Sequence, residues 1–475
     1  MPTRALRAGL CGIGLDAYWP QFSELHEQLD GYLNQVQARI QSLGADVESF
    51  GLVDTPERGR DAGHACRRAD VDLLFLYVTT YALSGTVLPL VQRARVPVIV
   101  LNLQPDAAID YDAFNRLQNR TAMTGAWLAW CSACPVPEIA NVMRRARIPF
   151  HQVTGALTDE GTWQEIEEWV AAANVKKALA ENRLGLMGHY YGGMLDVATD
   201  ITQVSITFGC HMEMLEADEL SALREGCTDE EIEQRVRVFG EEFAIQPDCS
   251  AAELARAART SVALDRLVAE HDLHSLAYYY RGTGVAANED TMSSIILGTS
   301  LLTARHVPVA GEYEVKNAVA MKIMDCFGAG GSFTEYYALD LNDDTVLMGH
   351  DGPGHLAIAE GKTRVRPLDV YHGKAGRGLS VEMSVRHGPV TLLSVVDDRE
   401  HGFRLLVAEG TSEPGPTLAI GNTNSRYRFS IGAVRFVGRW NEQGPAHHCA
   451  VGVGHIAGRI AKLARLLEIP VVKVC

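Results

Sequence analysis

The sequence has little that would place the protein in a membrane or export it. No apolar run approaches the roughly 20 residues that span a bilayer, because the Val/Leu/Ile-rich segments 71–78 and 96–103 have the length of strands. The first apolar segment, Ala8–Gly14, is short and interrupted by glycine, which is typical of a strand and not of a signal peptide. We therefore expect a cytoplasmic protein without a membrane partner.

Positive charge is also scarce. Lys and Arg number 43 against 59 Asp and Glu, which gives a formal net charge of −16. Nucleic acids and anionic membrane surfaces require a basic face, so this balance argues against both as partners. A neutral or cationic small molecule is a better match for an acidic protein.

Cysteines are few and irregularly spaced. Ten in 475 residues do not form the dense pattern of a disulfide-stabilised secreted domain, so reduced thiols are expected. Cys131-Ser-Ala-Cys134 is the one Cys-x-x-Cys pair. Because no second pair or nearby histidine pair completes it, loop or core cysteines explain it better than a zinc or redox site does.

The sequence is rich in apolar residues, which make up 47% of the chain and allow a large core in several domains. The first third alternates continuous Val/Ile/Leu strands with segments of helical spacing such as Gln21–Leu43. Such strands indicate a parallel sheet covered on both faces. A second strand–helix region begins at Leu184, and from about Val346 short alternating strands with Gly, Asp and His turns replace it.

This alternation predicts an α/β protein. We expect two layered, Rossmann- or flavodoxin-like domains with parallel sheets, followed by a β-rich C-terminal domain. The predicted domains are 1–175, 176–325 and 326–475. Gly12-Ile-Gly at the end of the first strand lacks the third glycine of a dinucleotide fingerprint, so no nucleotide site is predicted there.

Four glycine-containing segments in the second half carry carboxylates and imidazoles: Gly311–Lys316, Gly330–Tyr337, Leu347–His350 and Gly444–His448. Each can bring one oxygen or nitrogen to a common point without burying an unpaired charge in the core. Taken singly, each of these side chains could be a solvated turn residue or a cap. Their order along the chain and their flanking residues point to one shared site.

The four segments, in this order, resemble the pattern of L-arabinose isomerase, in the L-arabinose/L-fucose isomerase family. Their motifs are Gly-Glu-x-acid-x-Lys, Gly-Gly-Ser-Phe-x-Glu-x-Tyr, Leu-x-Gly-His and Gly-x-Ala-His-His. The resemblance implies an aldose–ketose isomerase that uses Mn²⁺, or another divalent ion such as Mg²⁺ or Co²⁺. It implies a metal site made of Glu312, Glu335, His350 and His448. Mixed carboxylate and imidazole ligands suit such an ion, which polarises a sugar carbonyl as a Lewis acid.

The isomerisation also needs groups that move protons. We assign this role to Glu312 and Glu335, acting as ligands and as proton shuttles through a cis-enediol. Two positions stay open: Glu314 shares a face with Glu312 if the segment is extended, and His447 is the alternative to its neighbour His448.

The predicted sugar pocket departs from the family. Where arabinose isomerases carry Gly-Ser-Gln-His this chain has Gly14-Leu-Asp-Ala, and Thr121-Ala-Met-Thr-Gly stands in place of His-Gly-Gly-Arg. The identity of the sugar is therefore not predicted. The expected sugar contacts are Asp16, Tyr81, Met194, His372 and His447. The resemblance further implies a homo-oligomer, expected to be a hexamer, with the pocket completed by a neighbouring subunit.

Three rival functions make different demands on the sequence. A metal-assisted epimerase acting on a polyol, sugar acid or cyclitol would keep all four ligands. A sugar-binding or sensory protein could use the same layered domains, but it would not need two glutamates and two histidines on glycine turns. His211-Met-Glu213 is similar to the His-x-Glu of zinc deaminases, yet the matching Pro-Cys-x-x-Cys is absent. The polar segment Asn422–Arg428 is predicted to be a solvated turn or a substrate or subunit contact.

Overall fold

The computed structural model describes residues 5–282, 284–369 and 376–475. Contacts between residues divide the chain into two compact units, Met1–Lys177 and Ala178–Cys475. Within the described residues, no helix is both long enough and apolar enough to cross a bilayer.

The first unit is built on five parallel strands, which are β1 Arg7–Ile13, β2 Asp46–Val53, β3 Leu73–Val78, β4 Val98–Gln104 and β5 Phe150–Ala156. They pair in the order β2-β1-β3-β4-β5. Every residue of β3 is buried, as its unbroken apolar sequence predicts for a central strand covered on both faces.

Seven helices connect or follow these strands: α1 Leu25–Ser42, α2 Pro56–Arg68, α3 Ser84–Ala94, α4 Tyr111–Asn115, α5 Arg120–Leu128, α6 Val136–Arg145 and α7 Glu160–Ala180. Helix α1 buries the apolar positions of its helical repeat, including Leu25, Leu29 and Leu33. Helix α2 begins with Thr55 as the N-cap and a proline in its first turn, as the Thr-Pro pair predicts.

The second unit contains fourteen strands among its described residues: β6 Arg183–Gly188, β7 His211–Leu215, β8 Ala244–Ile245, β9 Ser275–Tyr279, β10 Val309–Ala310, β11 Gly330–Asp340, β12 Thr345–His350, β13 Arg364–Leu368, β14 Gly378–Glu382, β15 Gly388–Asp398, β16 Gly402–Glu413, β17 Thr423–Phe429, β18 Cys449–Val453 and β19 Val471–Lys473. Four of them form a parallel sheet in the order β10-β9-β6-β7, which we call the open sheet. A small sheet has the order β14-β13-β8.

The helices of this unit are α8 Ile201–Phe208, α9 Ala217–Glu225, α10 Asp229–Glu242, α11 Ala251–Glu270, α12 Ala286–Met292, α13 Ile296–Ala304, α14 Val315–Cys326, α15 Ala433–Asn441 and α16 Ala457–Leu466. Helix α14 is buried along almost its whole length. It contacts β9 and β10 on one side and β11, β15 and β18 on the other. This helix therefore joins the open sheet to the C-terminal strands.

The C-terminal strands close into a six-stranded antiparallel barrel. They pair in the order β15-β18-β11-β12-β17-β16, and β15 pairs back onto β16. Strand β19 adds to β16 in parallel. Closure leaves the barrel strands without free edges.

The predicted fold class is confirmed: two parallel α/β sheets are followed by a β-rich C-terminal part. The pattern of short alternating strands did not reveal that this part is a barrel. The extents 1–175, 176–325 and 326–475 stay predictions for the domains. The predicted end of the second domain at residue 325 falls in the last turn of α14.

Candidate metal centre

The turn between β10 and α14 places Glu312 beside the barrel. Glu312 and Tyr313 have φ angles of 57° and 59°, in the left-handed region that non-glycine residues rarely adopt. The turn is held because the amide of Tyr313 donates to the carbonyl of Tyr278 at 3.0 Å, and that of Glu314 donates to the carbonyl of Gly311 at 3.0 Å. Two consecutive strained residues in a buried turn are typical of a functional site.

Two neighbouring barrel strands supply Glu335 and His350. Glu335 on β11 pairs with Gly349 on β12, the residue before His350. A Cβ atom at Gly349 would lie 1.8 Å from the carbonyl oxygen of Thr423, so only glycine lets β17 approach this closely. The ring of His350 is buried against Phe333, with a centroid distance of 4.4 Å. Strand pairing therefore fixes both side chains.

His448 lies directly before β18, and its side chain is fully buried. Its Nε2 lies 3.4 Å from Oε2 of Glu312, and its Nδ1 is hydrogen-bonded to Oε2 of Glu314 at 3.0 Å. Burial lowers the pKa of His448 to about 3 and raises the pKa of Glu314 to about 8. A neutral imidazole with a carboxylate partner on Nδ1 is the usual arrangement of a metal-binding histidine. Glu314 thus lies on the Nδ1 side of the His448 ring, and Glu312 lies on its Nε2 side.

His447 faces the same glutamates from the solvent side. Its Nε2 lies 3.7 Å from Oε2 of Glu312 and 3.9 Å from Oε2 of Glu335. Its Nδ1 is hydrogen-bonded to Oδ2 of Asp196 at 2.6 Å. The nearby carboxylate of Glu312 and the hydrogen bond to Asp196 outweigh burial and raise the pKa of His447 to about 9. Burial raises the pKa of Glu335 to about 7, although the charge of His447 opposes this shift.

The cluster fits a divalent ion. One ligand atom each from Glu312, His447 and His448, or from Glu335, His350 and His448, lies within 4.8 Å of the others in its set. Oε2 of Glu312 and Nε2 of His448 are buried and have no hydrogen-bond partner among the described residues. Buried polar atoms without partners are costly, and a cation between them would satisfy both. Two carboxylates with two or three imidazoles suit Mn²⁺ or a similar ion.

A cavity of about 490 Å³ opens above the cluster. Glu312, Glu335, His350 and His447 form its polar floor. Its described walls include Tyr191, Met194, Tyr279, Tyr337, Leu418, Ile420 and Asn422, and no Lys or Arg. The size suits a small ligand, and the charge of the lining does not favour an anionic one.

Of the other predicted sugar contacts, some lie at the cavity and some lie in the first unit. Met194 lines the cavity. Asp16 lies in an exposed turn of the first unit, and Tyr81 is half-buried after β3 in the same unit. His372 lies outside the described residues. Of the Asn422–Arg428 segment, Asn422 reaches the cavity and donates to the hydroxyl of Tyr337 at 3.3 Å.

Sequence reasoning missed two carboxylates at the cluster. Asp351, next to His350, lines the cavity and has Oδ1 at 3.6 Å from Nδ1 of that histidine. Asp196 lies on a glycine-containing segment after β6, at the carboxyl end of a parallel strand. Because ligands bind at such ends in parallel sheets, the predicted strand at Leu184–Gly188 points to the segment that carries Asp196.

Comparisons with known proteins agree with the motifs. Residues 330–470 match the family model described as the L-arabinose isomerase C-terminal domain. A curated relative, the L-arabinose isomerase of Nocardioides sp., is 23% identical over 347 residues, which cover 69% of this chain and 67% of the relative. The predicted resemblance to L-arabinose isomerases is thereby confirmed. The residues matched by the family model include Glu335, His350, His447 and His448, whereas Glu312 precedes them.

Proposed function

We propose, from this likeness to L-arabinose isomerases, that the protein is a divalent-metal-dependent isomerase that interconverts an aldose and its ketose. The predicted enzyme class, a sugar isomerase, is supported by both comparisons. The observation that carries the proposal is the convergence of Glu312 and Glu335 with buried histidines at the floor of a cavity that has no Lys or Arg among its described walls.

Four residues would hold the ion: Glu312, Glu335, His350 and His448. When bound, the ion supplies Lewis-acid polarisation of the sugar carbonyl. Mn²⁺ is proposed on the resemblance, with Mg²⁺ or Co²⁺ as alternatives that the ligand types also accept. Glu314 keeps His448 in the tautomer that presents Nε2, because Nδ1 donates to its carboxylate.

The two glutamates move the protons. One carboxylate accepts the proton from C2 of the sugar and returns it to C1, and the other exchanges the hydroxyl proton through a cis-enediol. Both have a carboxylate oxygen within 4 Å of Nε2 of His447, so they flank one point of the cavity floor. A carboxyl group whose pKa lies near neutrality, such as that of the half-buried Glu335, can act in both directions at physiological pH.

The decisive experiment compares metal-depleted protein with and without Mn²⁺, Mg²⁺ or Co²⁺ on a panel of aldopentoses, aldohexoses and 6-deoxy sugars. We expect metal to restore ketose formation from one or a few aldoses. Glu335→Gln should lower kcat on the order of 10²–10⁴-fold, whereas Glu233→Gln, an exposed carboxylate on α10, should not. Retained activity in Glu335→Gln would remove that residue from the mechanism.

The same assay separates the rival functions. A metal-assisted epimerase would give an epimer of the substrate instead of a ketose, and it would use the same ligands. Binding across the panel without turnover would indicate a sensory protein. Product analysis by NMR in D₂O distinguishes these outcomes, because an isomerase exchanges or transfers hydrogen between C2 and C1.

Assembly is proposed on the resemblance alone, and location on the sequence features given in the first subsection. We expect a homo-oligomer, specifically a hexamer, in the cytoplasm, with a neutral sugar as the small-molecule partner. Light scattering at several protein concentrations tests the assembly. A stable monomer with full activity would contradict the expectation that a neighbouring subunit completes the pocket.

A further inference from the structure

The segment between β6 and α8, residues 189–200, contributes the carboxylate of Asp196, which makes two hydrogen bonds with His447. Oδ2 of Asp196 accepts a hydrogen bond from the backbone N–H of His447 at 3.0 Å and is bonded to its ring Nδ1 at 2.6 Å. One contact fixes the main chain and the other fixes the ring. Together they leave the imidazole with a single orientation, in which Nε2 points at the two glutamates.

Asp196 is itself held in place. Nζ of the buried Lys316 donates to the backbone carbonyl of Asp196 at 2.8 Å and contacts Oδ2 of Asp397 on β15 at 2.5 Å. The hydroxyl of Thr199 donates to the other carboxylate oxygen of Asp397 at 3.3 Å. The segment is therefore linked to barrel strand β15 at Thr199 directly and at Asp196 through Lys316.

The two adjacent histidines have the same orientation but different surroundings. Each has a carboxylate on Nδ1, Asp196 for His447 and Glu314 for His448, and each directs Nε2 toward Oε2 of Glu312. The side chain of His448 is 0% exposed, whereas that of His447 is 36% exposed and lines the cavity. His448 can reach only the interior of the cluster, while His447 can also reach a ligand in the cavity.

We propose that Asp196 is a positioning residue that holds the ring of His447 toward the cavity, where its Nε2 hydrogen-bonds an oxygen of the sugar. Of the two adjacent histidines, only His448 is then a metal ligand. This inference rests on the proposed function for the identity of the sugar. The orientation of His447 itself does not depend on that function.

The test compares Asp196→Ala, Asp196→Asn and Asp200→Ala. Asparagine keeps an oxygen that can accept from Nδ1 of His447, whereas alanine does not. Asp200 lies in the same segment and caps α8 through bonds to the amides of Thr202 and Gln203. Its replacement therefore loosens the segment without touching His447. Outer-shell changes of this kind cost 10–100-fold in activity or metal affinity, so the two quantities are measured separately.

We expect Asp196→Ala to raise KM for the best sugar of the panel on the order of 10-fold or more, with the Mn²⁺ dissociation constant, measured by electron paramagnetic resonance, within about 3-fold of wild type. Asp196→Asn should recover most of the loss, and Asp200→Ala should change neither quantity. His447→Ala combined with Asp196→Ala should be no worse than His447→Ala alone.

Two outcomes would overturn the proposal. If Asp196→Ala weakens Mn²⁺ binding as much as His448→Ala does, His447 is a metal ligand. If Asp200→Ala reproduces the KM change, the effect belongs to the segment as a whole. If the protein turned over no sugar of the panel, the proposed function would be wrong, but the positioning role of Asp196 would not be contradicted. That role is then judged by the ring ¹⁵N resonances of His447 in metal-free protein, which should move in Asp196→Ala and not in Asp200→Ala.

Discussion

The open sheet and the barrel of the second unit hold the candidate centre by different means. The barrel supplies Glu335, His350 and His448 on or beside paired strands, so the register of the strands sets their positions. The open-sheet side supplies Glu312 from a left-handed turn and Asp196 from a connecting segment. Their positions depend on a few hydrogen bonds. We therefore expect changes in the barrel to damage the fold together with the site, and changes on the open-sheet side to separate the two.

The largest effect is expected from Gly349→Ala in the barrel. The added methyl group would meet the backbone of Thr423 at 1.8 Å, and a backbone carbonyl cannot move aside without breaking the pairing of β12 with β17. Overpacking of this kind costs on the order of 3 kcal/mol of unfolding free energy. Urea denaturation and Mn²⁺ binding should both show the loss, because His350 is the next residue.

The control for this variant is Gly438→Ala in α15. A Cβ atom there meets nothing within 4 Å, and alanine is the better helix former by about 0.5–1 kcal/mol. We expect Gly438→Ala to be neutral or stabilising and to keep metal binding. Should Gly349→Ala denature at the same urea concentration as wild type, the barrel register would not be the constraint described above.

Glu314→Gln should have the next largest effect and should act on the metal without unfolding the protein. The amide retains the size of the buried carboxyl group, but it cannot ionise to stabilise Nδ1–H of His448 when a cation binds at Nε2. We expect the Mn²⁺ dissociation constant to rise on the order of 10–100-fold. Titration with Mn²⁺ followed by electron paramagnetic resonance measures this change. Circular dichroism confirms that the variant is folded.

Asp196→Ala is the matched comparison for Glu314→Gln, because each removes the carboxylate partner of one of the two adjacent histidines. We expect metal affinity to depend on Glu314 and sugar KM to depend on Asp196. Equal losses of metal affinity in both variants would mean that the two histidines are equivalent ligands.

The stability of the metal-free protein should fall as the pH rises from about 6.5 to 8.5. Burial raises the pKa of Glu314 to about 8 and of Glu335 to about 7, so both favour the folded state when protonated. Their contribution is complete below the ordinary glutamate pKa of about 4.5 and is lost as the pH passes the raised values. His447, with its pKa raised to about 9, loses its contribution between about 6.5 and 9, in the same direction.

Two groups act only at lower pH. His448, whose pKa is lowered to about 3, favours the folded state above about 6.5 and loses this contribution as the pH falls. Hydrogen bonds from His447 overcome burial and lower the pKa of Asp196 to about 2, so its contribution is lost only in acid. Thermal melts of metal-free protein at several pH values test the prediction. Added Mn²⁺ should raise the melting temperature more at pH 8 than at pH 6.5, because it requires deprotonated ligands. A flat profile in metal-free protein would contradict the raised pKa values of Glu314 and Glu335.

The same contrast between the open-sheet side and the barrel explains how much could be predicted from the sequence. The parallel sheets were predictable because buried parallel strands form continuous apolar runs, as in β3. Barrel closure was not, because it depends on the pairing of β18 with β11 and β15, and of β12 with β17, over large separations in the chain. Alternating apolar residues indicate a strand but not its second neighbour.

The candidate site shows the same limit at the level of single residues. Glu312 and Glu314 could not be told apart from the sequence, because an extended segment would place both side chains on one face. In the structure, positive φ angles at Glu312 and Tyr313 turn the chain so that the two carboxylates face opposite nitrogens of His448. The contact of Asp196 with His447 was not predictable, because the two residues are 251 positions apart in the chain.

The smallest effect is expected at the edge of the open-sheet region, where α10 begins with a capping box. The hydroxyl of Thr228 accepts from the amide of Glu231 at 3.3 Å, and the carboxylate of Glu231 accepts from the amide of Thr228 at 2.8 Å. Thr228→Ala removes half of this pair and should lower the unfolding free energy by about 1 kcal/mol, while Thr228→Ser should keep it. Since neither residue contacts the cluster, kcat, KM and Mn²⁺ affinity should stay at wild-type values. If Thr228→Ala lowered the metal affinity and Thr228→Ser did not, the centre would depend on the stability of the open-sheet side as a whole. The contrast between the barrel and the open-sheet side would then fail.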